Sequence, residues 1–317
     1  MNALPVRLAH QLETRPEEQR WLIEGLWSAE AVGIVGGEPK CCKSFLALDM
    51  AVAVAAGVPC MRRFPAIGRG RVLLFAAEDS LHVVRQRLAG IAAACGVALD
   101  ALDVHVIVAP VVWLDVELDR TRLEETVRTL RPVLLVLDPF VRLHRVDENA
   151  SAEVAPLLDF LRGLQRRHRV AVVLVHHARK GGAHLRAGQA LRGSSELHAW
   201  GDSNLYLRRN ADDELLLTVE HRAAACASGL RIALAAEGDA LALRVIDSAT
   251  PEPAAPSPAS PIERVAAILA ERGAALTQRE IRDLAKLRSA TIGDALAALV
   301  TDGRVARCDG RYRIVAR

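Results

Sequence analysis

Short apolar runs alternate with longer amphipathic segments from Ala31 onward, and this alternation constrains the fold more than any other feature. Each run is short and rich in Val, Leu or Ile, as expected of strands buried on both faces of a parallel sheet. The segments between them carry apolar residues three or four positions apart, which predicts crossover helices. The pattern therefore predicts an α/β fold with a mostly parallel central sheet.

The predicted strands are Ala31–Val35, Arg71–Ala76, Val104–Val108, Val133–Leu137, Ala171–Val175 and Asp202–Leu207, followed by Leu215–Glu220 and Leu230–Ala235. The predicted covering helices are Phe45–Ala56, Leu81–Cys95, Asp119–Leu130 and Ala150–Arg167.

A stretch rich in Pro, Ala and Ser occupies residues 248–260 and predicts a linker between two domains. Residues 1–247 then form the large domain, in which residues 1–28 are an N-terminal segment. Residues 261–317 form a small unit of three helices and a hairpin. Thr277 and Glu280 have the spacing of a capping box, and Asp309–Gly310 suits a hairpin turn. The three predicted helices are Ile262–Glu271, Gln278–Ala285 and Ala290–Thr301.

The amino-acid composition excludes several classes of function for this chain. The net charge is +3, from 41 basic and 38 acidic residues, so any nucleic-acid site must be local rather than a general polybasic surface. Aromatic residues make up 3% of the chain, which argues against an RNA-binding platform of stacked rings. The six cysteines lack the spacings of a disulfide framework, and the N-terminus lacks a signal peptide. We therefore expect a cytoplasmic protein with reduced thiols and without a membrane span.

One loop carries the clearest chemical signal. It reads Gly37-Glu38-Pro39-Lys40-Cys41-Cys42-Lys43-Ser44 and lies between a predicted strand and a predicted helix. That context makes a P-loop credible, because backbone N–H groups and the helix N-terminus then face the phosphates of ATP. Lys43 would neutralise phosphate charge, Ser44 would coordinate Mg²⁺, and Phe45 would complete the nucleotide site. The alternative is a chance Lys-Ser pair after a turn.

Cys42 departs from the P-loop pattern, which has glycine at this position. A side chain here is expected to strain the loop or crowd the phosphates, and so to lower nucleotide affinity. A further hypothesis concerns redox sensitivity. Thiolates near Lys43 and a helix N-terminus have lowered pKa values, so oxidation of Cys41 or Cys42 would interfere with ATP binding.

Five segments in order resemble one family: GGEPKCCKS, AAEDS, VLLVLDPF, DENAS and VLVHHARKGG. They resemble the RecA-like P-loop ATPases of the plasmid RepA hexameric helicase group, which are AAA family ATPases, over roughly Trp21 to Arg222. The resemblance implies a ring-forming ATPase that holds ATP between subunits, with a hexamer as the expected homo-oligomer. It also implies single-stranded DNA in or near the central channel.

Two acidic positions fit ATP hydrolysis. Glu78 follows an apolar strand, at the sheet edge where ligands of open α/β sheets gather, so it would orient or deprotonate the attacking water. Asp79 either shares that role or caps the next helix, and a capping role for both acids stays open. Asp138 ends the most apolar strand and is expected to help bind Mg²⁺, as in a Walker B element. The alternative is an ordinary residue at the start of a loop.

His176 and His177 end the next strand, where an imidazole can hydrogen-bond the γ-phosphate. The resemblance implies that one of them senses hydrolysis, and His177 is our candidate. A zinc site at the paired histidines is the alternative, although no Cys or acid lies at ligand spacing. The resemblance also favours Arg222, over Arg208 and Arg209, as an arginine finger that reaches a neighbouring subunit's ATP.

Two regions are candidates for DNA contacts. A Gly-rich basic segment predicts phosphate binding or, alternatively, a solvated loop; its residues are Lys180, His184, Arg186 and Arg192. The small unit resembles a winged-helix module, which would bind duplex DNA or another protein. The polar residues that precede or open its recognition helix, Ala290–Thr301, are Arg288, Ser289, Thr291 and Asp294, and its hairpin would contribute Arg304, Arg307, Arg311 and Arg313.

Three functional hypotheses follow. The first is an ATP-driven, oligomeric, helicase-like motor on DNA. The second is a nucleotide-gated DNA-binding regulator or loader without strand separation. The third is an ATP-independent module with a degenerate pocket, which Cys42 suggests but Glu78, Asp138 and the paired histidines oppose.

Overall fold

The computed structural model describes residues 6–12, 16, 19–177, 195–210, 213–224, 226–237, 240–246, 261–272, 275–285, 292–293, 295–296, 299–300, 304–308 and 310–314. The chain forms two compact units, Met1–Asp247 and Ser248–Arg317. Within the described residues, no helix is both long enough and apolar enough to cross a membrane.

The first unit is built on a nine-stranded sheet. Its strands are β3 (Val32–Gly37), β4 (Val72–Ala76), β5 (Val104–Val106), β6 (Leu134–Asp138), β7 (Ala171–His177), β8 (Ser203–Arg209), β9 (Leu215–His221), β10 (Ala227–Glu237) and β11 (Ala240–Val245). The helices are α1 (Lys43–Ala56), α2 (Leu81–Ala94), α3 (Glu117–Leu130), α4 (Ser151–His168) and α5 (Ser195–Trp200). An N-terminal hairpin adds β1 (Trp21–Ile23) and β2 (Trp27–Ser28).

The strand order is β11-β10-β9-β8-β3-β7-β6-β4-β5, in which β8, β3, β7, β6, β4 and β5 run parallel. Strands β9, β10 and β11 are antiparallel additions at one side. This confirms the predicted α/β fold with a mostly parallel central sheet. Because parallel strands end at the same edge, the loops after β3, β4, β6 and β7 meet there, and ligands of such sheets bind at that edge.

Two cores sandwich the sheet. Helices α1 and α2 and the buried ring of Trp27 pack on one face, while α3, α4 and α5 pack on the other. Successive strand residues point to opposite faces, so Val35 joins the first core and Ile34 the second. Apolar runs without alternation, such as β6, are therefore the sequence signature of strands covered on both sides.

The second unit contains α6 (Pro261–Arg272), β12 (Leu276–Thr277), α7 (Gln278–Ala285), β13 (Val305–Cys308) and β14 (Arg311–Ile314). Its three strands pair in the order β12-β14-β13. The described residues of 292–300 are helical, and Leu296 and Leu299 are buried with Ile281 in one core. The predicted capping box is present, because the Thr277 N–H donates to Glu280 Oε2 (2.7 Å) and the Glu280 N–H donates to Thr277 Oγ1 (3.3 Å).

Candidate functional site

The loop from Gly37 to Ser44 connects β3 to α1 at the ligand-binding edge of the sheet. A Cβ atom on Gly37 would lie 2.3 Å from the Leu207 carbonyl oxygen, so β8 leaves room only for glycine. Lys43 is 5% exposed, and its Nζ donates a hydrogen bond to the Glu38 carbonyl oxygen at 2.7 Å. Burial disfavours the charged form of Lys43 and so lowers its pKa. An anionic ligand in the loop would stabilise that charge.

Ser44 and Asp138 lie side by side, although 94 positions separate them in the chain. The Ser44 hydroxyl hydrogen-bonds the Asp138 carboxylate, which is 8% exposed at the end of β6. Burial raises the pKa of Asp138 to about 6, against the opposing effect of that hydrogen bond. A hydroxyl beside a buried carboxylate is a pair of hard oxygen donors, so these residues fit Mg²⁺.

The two acids after β4 are each engaged by an arginine. Glu78 Oε1 accepts a hydrogen bond from Arg142 Nε at 2.9 Å, and Asp79 forms an ion pair with Arg87. Glu78 also acts electrostatically on Lys43, so its charge lies within range of the phosphate loop. A carboxylate at this edge of the sheet is suited to activate a water for attack on a phosphate.

The paired histidines at the end of β7 point to opposite faces of the sheet, as alternate strand residues must. His177 is half-buried, and burial together with the charge of Lys43 lowers its pKa. Its imidazole is therefore neutral at pH 7, and its buried Nδ1 has no hydrogen-bond partner within the described residues. His177 pairs in register with Gly37, the first residue of the phosphate loop, and the charge of Lys43 acts on it, so His177 lies beside that loop.

His176 belongs to a buried polar cluster with His144 and Glu148. Glu148 Oε1 lies 3.5 Å from His144 Nε2 and 3.7 Å from His176 Nδ1, and the ring of Phe140 packs on both imidazoles. Burial by itself raises the pKa of Glu148, but the two imidazoles outweigh it and hold this pKa below its usual value. The cluster joins the segment after β6 to the end of β7.

No zinc site accompanies these histidines in the part of the chain that the structure describes. There, no group of three or more His, Cys, Asp or Glu side chains is arranged to hold a metal ion. The alternative of a paired-histidine zinc site therefore gains no support.

Cys42 takes the left-handed backbone conformation, with φ 60° and ψ 25°, immediately before α1. A residue with a Cβ pays roughly 1–2 kcal/mol for this conformation, which explains why the P-loop pattern has glycine here. The predicted strain is thus visible in the backbone. Lys40 is also left-handed, at φ 66°.

Comparing two substitutions at Cys42 isolates this strain. We expect Cys42→Gly to be more stable than Cys42→Ala by about 1 kcal/mol, because both remove the thiol but only glycine relaxes the backbone. Urea unfolding of the two variants measures the difference. Equal midpoints, or a more stable alanine variant, would show that the loop is unstrained.

The expected lowering of the thiol pKa values in this loop is wrong. Burial raises the pKa of both Cys41 and Cys42, and it outweighs the opposing charges of Lys43 and Arg209. Both thiols are therefore protonated at pH 7, and a protonated thiol is a poor nucleophile toward oxidants. The sequence showed the neighbouring cation but not the desolvation.

Arg222 lies far from the phosphate loop of its own chain. Strand β9 runs antiparallel to β8, so His221 pairs with Ser203, at the edge where the parallel strands begin. The guanidinium donates to the Ala199 carbonyl oxygen and lies 3.5 Å from Asp202 Oδ1. In contrast, Arg209 ends β8 at the phosphate edge, where its charge acts on Cys41 and Cys42.

The predicted DNA-contact residues fall mostly outside the described residues. These are Lys180, His184, Arg186 and Arg192 in the basic segment, Arg288, Ser289, Thr291 and Asp294 at the predicted recognition helix, and the side chain of Arg307. In the small unit, Arg304, Arg311 and Arg313 are exposed, and Arg311 and Arg313 flank the buried Tyr312 on β14.

Arg142, Arg87 and Glu148 were missed by the sequence analysis. Arg142 and Glu78 are 64 positions apart, and their contact depends on β6 pairing with β4, which no local pattern reveals. Glu148 lies in the DENAS segment, so its place in a motif was the available signal.

Comparison with known proteins supports the same fold. A family model described as an AAA domain matches residues 2–183, more than half of the chain. Among solved structures, the chain is similar to one described as an ATPase domain, with a TM-score of 0.52 and 14% sequence identity over 66% of this chain and 83% of that one. The TM-score indicates a shared fold, that of a RecA-like P-loop core, and at this identity the match shows the fold alone. On the family match, this chain belongs to the AAA domain family.

Proposed function

We propose that this protein is an ATP-hydrolysing, ring-forming motor that acts on DNA, of the type represented by the plasmid RepA hexameric helicases. One observation carries the proposal: Lys43, Ser44, Asp138, Glu78 and His177 come from four different strand ends and converge on one edge of the sheet. Each supplies a different function that ATP hydrolysis needs.

Each of these residues has a separate role in the proposed hydrolysis of ATP. The N–H groups of residues 37–44 and the Lys43 ammonium hold the phosphates, and Ser44 with Asp138 holds Mg²⁺, which neutralises phosphate charge when it is bound. Glu78 accepts a proton from the attacking water. His177, neutral at pH 7, contacts the γ-phosphate and begins the segment that carries the predicted DNA contacts.

Arg222 fits a role in a neighbouring subunit. Its position at the opposite edge of the sheet puts it beyond its own chain's nucleotide, but an assembled ring would bring it to the next subunit's nucleotide. A hexamer in the cytoplasm, with single-stranded DNA at the ATPase core, is the assembly that we propose.

The small unit is proposed to be a winged-helix module that binds duplex DNA. The order α6, β12, α7, helical residues within 292–300 and then the β13–β14 hairpin supports this, because a wing follows the recognition helix in such modules. The exposed Arg311 and Arg313 lie on one face of the hairpin and are suited to phosphates.

ATP turnover with and without single-stranded DNA tests this proposal. We expect single-stranded DNA to raise turnover several-fold and Lys43→Ala to remove it, since the motor couples DNA to the nucleotide site. Measurement of the molecular mass in the presence of ATP should show the hexamer that a ring requires. ATP turnover that single-stranded DNA leaves unchanged would contradict the proposal of a DNA motor. DNA-stimulated turnover without strand displacement would instead indicate a nucleotide-gated regulator or loader.

A further inference from the structure

A carboxylate at the sheet edge opposite the phosphate loop binds two arginines. Asp202 lies just before β8, and Arg162 donates hydrogen bonds to both of its carboxylate oxygens, from Nη1 to Oδ2 and from Nη2 to Oδ1. Arg222 Nη1 lies 3.5 Å from the same Oδ1. The backbone N–H of Val32 donates to Asp202 Oδ2 at 3.3 Å. One carboxylate therefore joins α4, the start of β3 and the residue that follows β9.

Backbone hydrogen bonds fix Asp202 and Arg222 relative to each other. The Asp202 N–H donates to the Val32 carbonyl oxygen at 2.7 Å, and the Arg222 N–H donates to the Asp202 carbonyl oxygen at 2.9 Å. These bonds extend the sheet by one residue beyond the pair of Ser203 and His221. Both side chains therefore start from backbone that belongs to the sheet.

Arg162 fixes the carboxylate from the other side. Its side chain is 19% exposed, its Cζ lies 5.6 Å from the centroid of the Trp200 ring, and it donates to the Trp200 carbonyl oxygen. Arg222 donates in the same way to the Ala199 carbonyl oxygen. Both carbonyls belong to the last turn of α5, where backbone oxygens lack helical partners. Arg222 is thus held by a carboxylate and a carbonyl, while 56% of its side chain stays exposed.

We propose that Asp202, itself fixed by Arg162, is the positioning residue for Arg222 and holds its guanidinium in the orientation from which it acts on a neighbouring subunit's nucleotide. The inference rests on the proposed function, because it requires Arg222 to act in trans. Without the negative charge, the two guanidinium groups repel each other, and the more exposed Arg222 turns away. A free arginine side chain would also lose more rotamer freedom on reaching a phosphate. Asp202 therefore acts on the rate of hydrolysis and not on the affinity for ATP.

Steady-state ATP hydrolysis by Asp202→Asn tests this role. We expect kcat to fall about 10²-fold, the cost of a misplaced catalytic group, while KM for ATP stays unchanged. Asparagine keeps the size and one acceptor oxygen of the side chain but removes its charge. Adding Asp202→Asn to Arg222→Ala should lower kcat no further, because the two residues act as a unit. A further loss as large as that of Asp202→Asn alone would overturn the proposal.

Asp103→Asn is the matched control. Asp103 also binds an arginine through both carboxylate oxygens, since Arg71 Nε lies 3.1 Å from each of them. It precedes β5, at the same edge of the sheet but at the opposite end of the strand order from β9. We therefore expect this variant to hydrolyse ATP like the wild type.

Mixed rings separate positioning from a loss of structure. In rings of Lys43→Ala and Arg222→Ala subunits, the first kind donates Arg222 and the second supplies the phosphate loop. We expect Asp202→Asn to remove most of the recovered activity when it is placed in the Lys43→Ala subunit, and to have no effect in the Arg222→Ala subunit. Equal losses in both placements, or no loss in either, would overturn the proposal. If mixed rings without Asp202→Asn recover no activity, the trans role of Arg222 itself fails and this inference falls with it.

Discussion

Replacing Glu78 by glutamine should reduce ATP turnover by about 10²- to 10⁴-fold, the usual contribution of a general base, and leave MgATP binding intact. Glutamine preserves the size and the acceptor oxygen of the side chain but cannot take the proton of the attacking water. Steady-state hydrolysis and calorimetry on the same preparation measure the two quantities.

Asp79→Asn is the matched control for this substitution. Asp79 adjoins Glu78 but is paired with Arg87, which holds it toward α2. We therefore expect a much smaller loss of turnover in this variant. If Glu78→Gln hydrolyses ATP normally, Glu78 is not the base, and a large loss in Asp79→Asn alone would transfer the role to Asp79.

Arg222→Ala should lower turnover about 10³-fold without weakening ATP binding, which is the lower end of what an arginine finger contributes. The reason is topological. Because β9 is antiparallel to β8, Arg222 and the phosphate loop lie at opposite edges of the sheet in one chain. Arg222 can therefore act only on a nucleotide held by another subunit.

Mixing two inactive variants tests this trans role. In a ring of Arg222→Ala and Lys43→Ala subunits, some interfaces combine an intact phosphate loop with an intact Arg222, so activity should partly return. A lack of recovery in rings shown to be mixed would contradict the trans assignment. Arg231→Ala is a suitable control, since Arg231 forms a surface ion pair with Glu214 at 3.2 Å and has no proposed catalytic role.

Most of the sheet was predictable because strands buried on both faces must be apolar throughout. Strands β6 and β7 show this most clearly, and Asp138 and His177 could be placed at their ends by the same logic. The hairpin of β1 and β2 and the strand β11 were missed. They are short or half-exposed, so their composition does not distinguish them from loops, even though Trp27 is fully buried.

The site was predictable where a single residue follows a strong strand or opens a helix. It was not predictable where function depends on strand order. Arg142 meets Glu78 only because β6 and β4 are neighbours, and Phe45 meets Arg87 only because α1 packs beside α2. Burial of individual side chains was also not visible in the sequence, and it reversed the expected pKa shift of Cys42.

The central claim is that residues 37–44 bind the phosphates of a nucleotide, and calorimetric titration of the full chain with MgATP tests it most directly. We predict saturable uptake of one nucleotide per chain in the wild type and its loss in Lys43→Ala. If the folded wild-type protein takes up no nucleotide, the site assigned to this edge of the sheet does not exist.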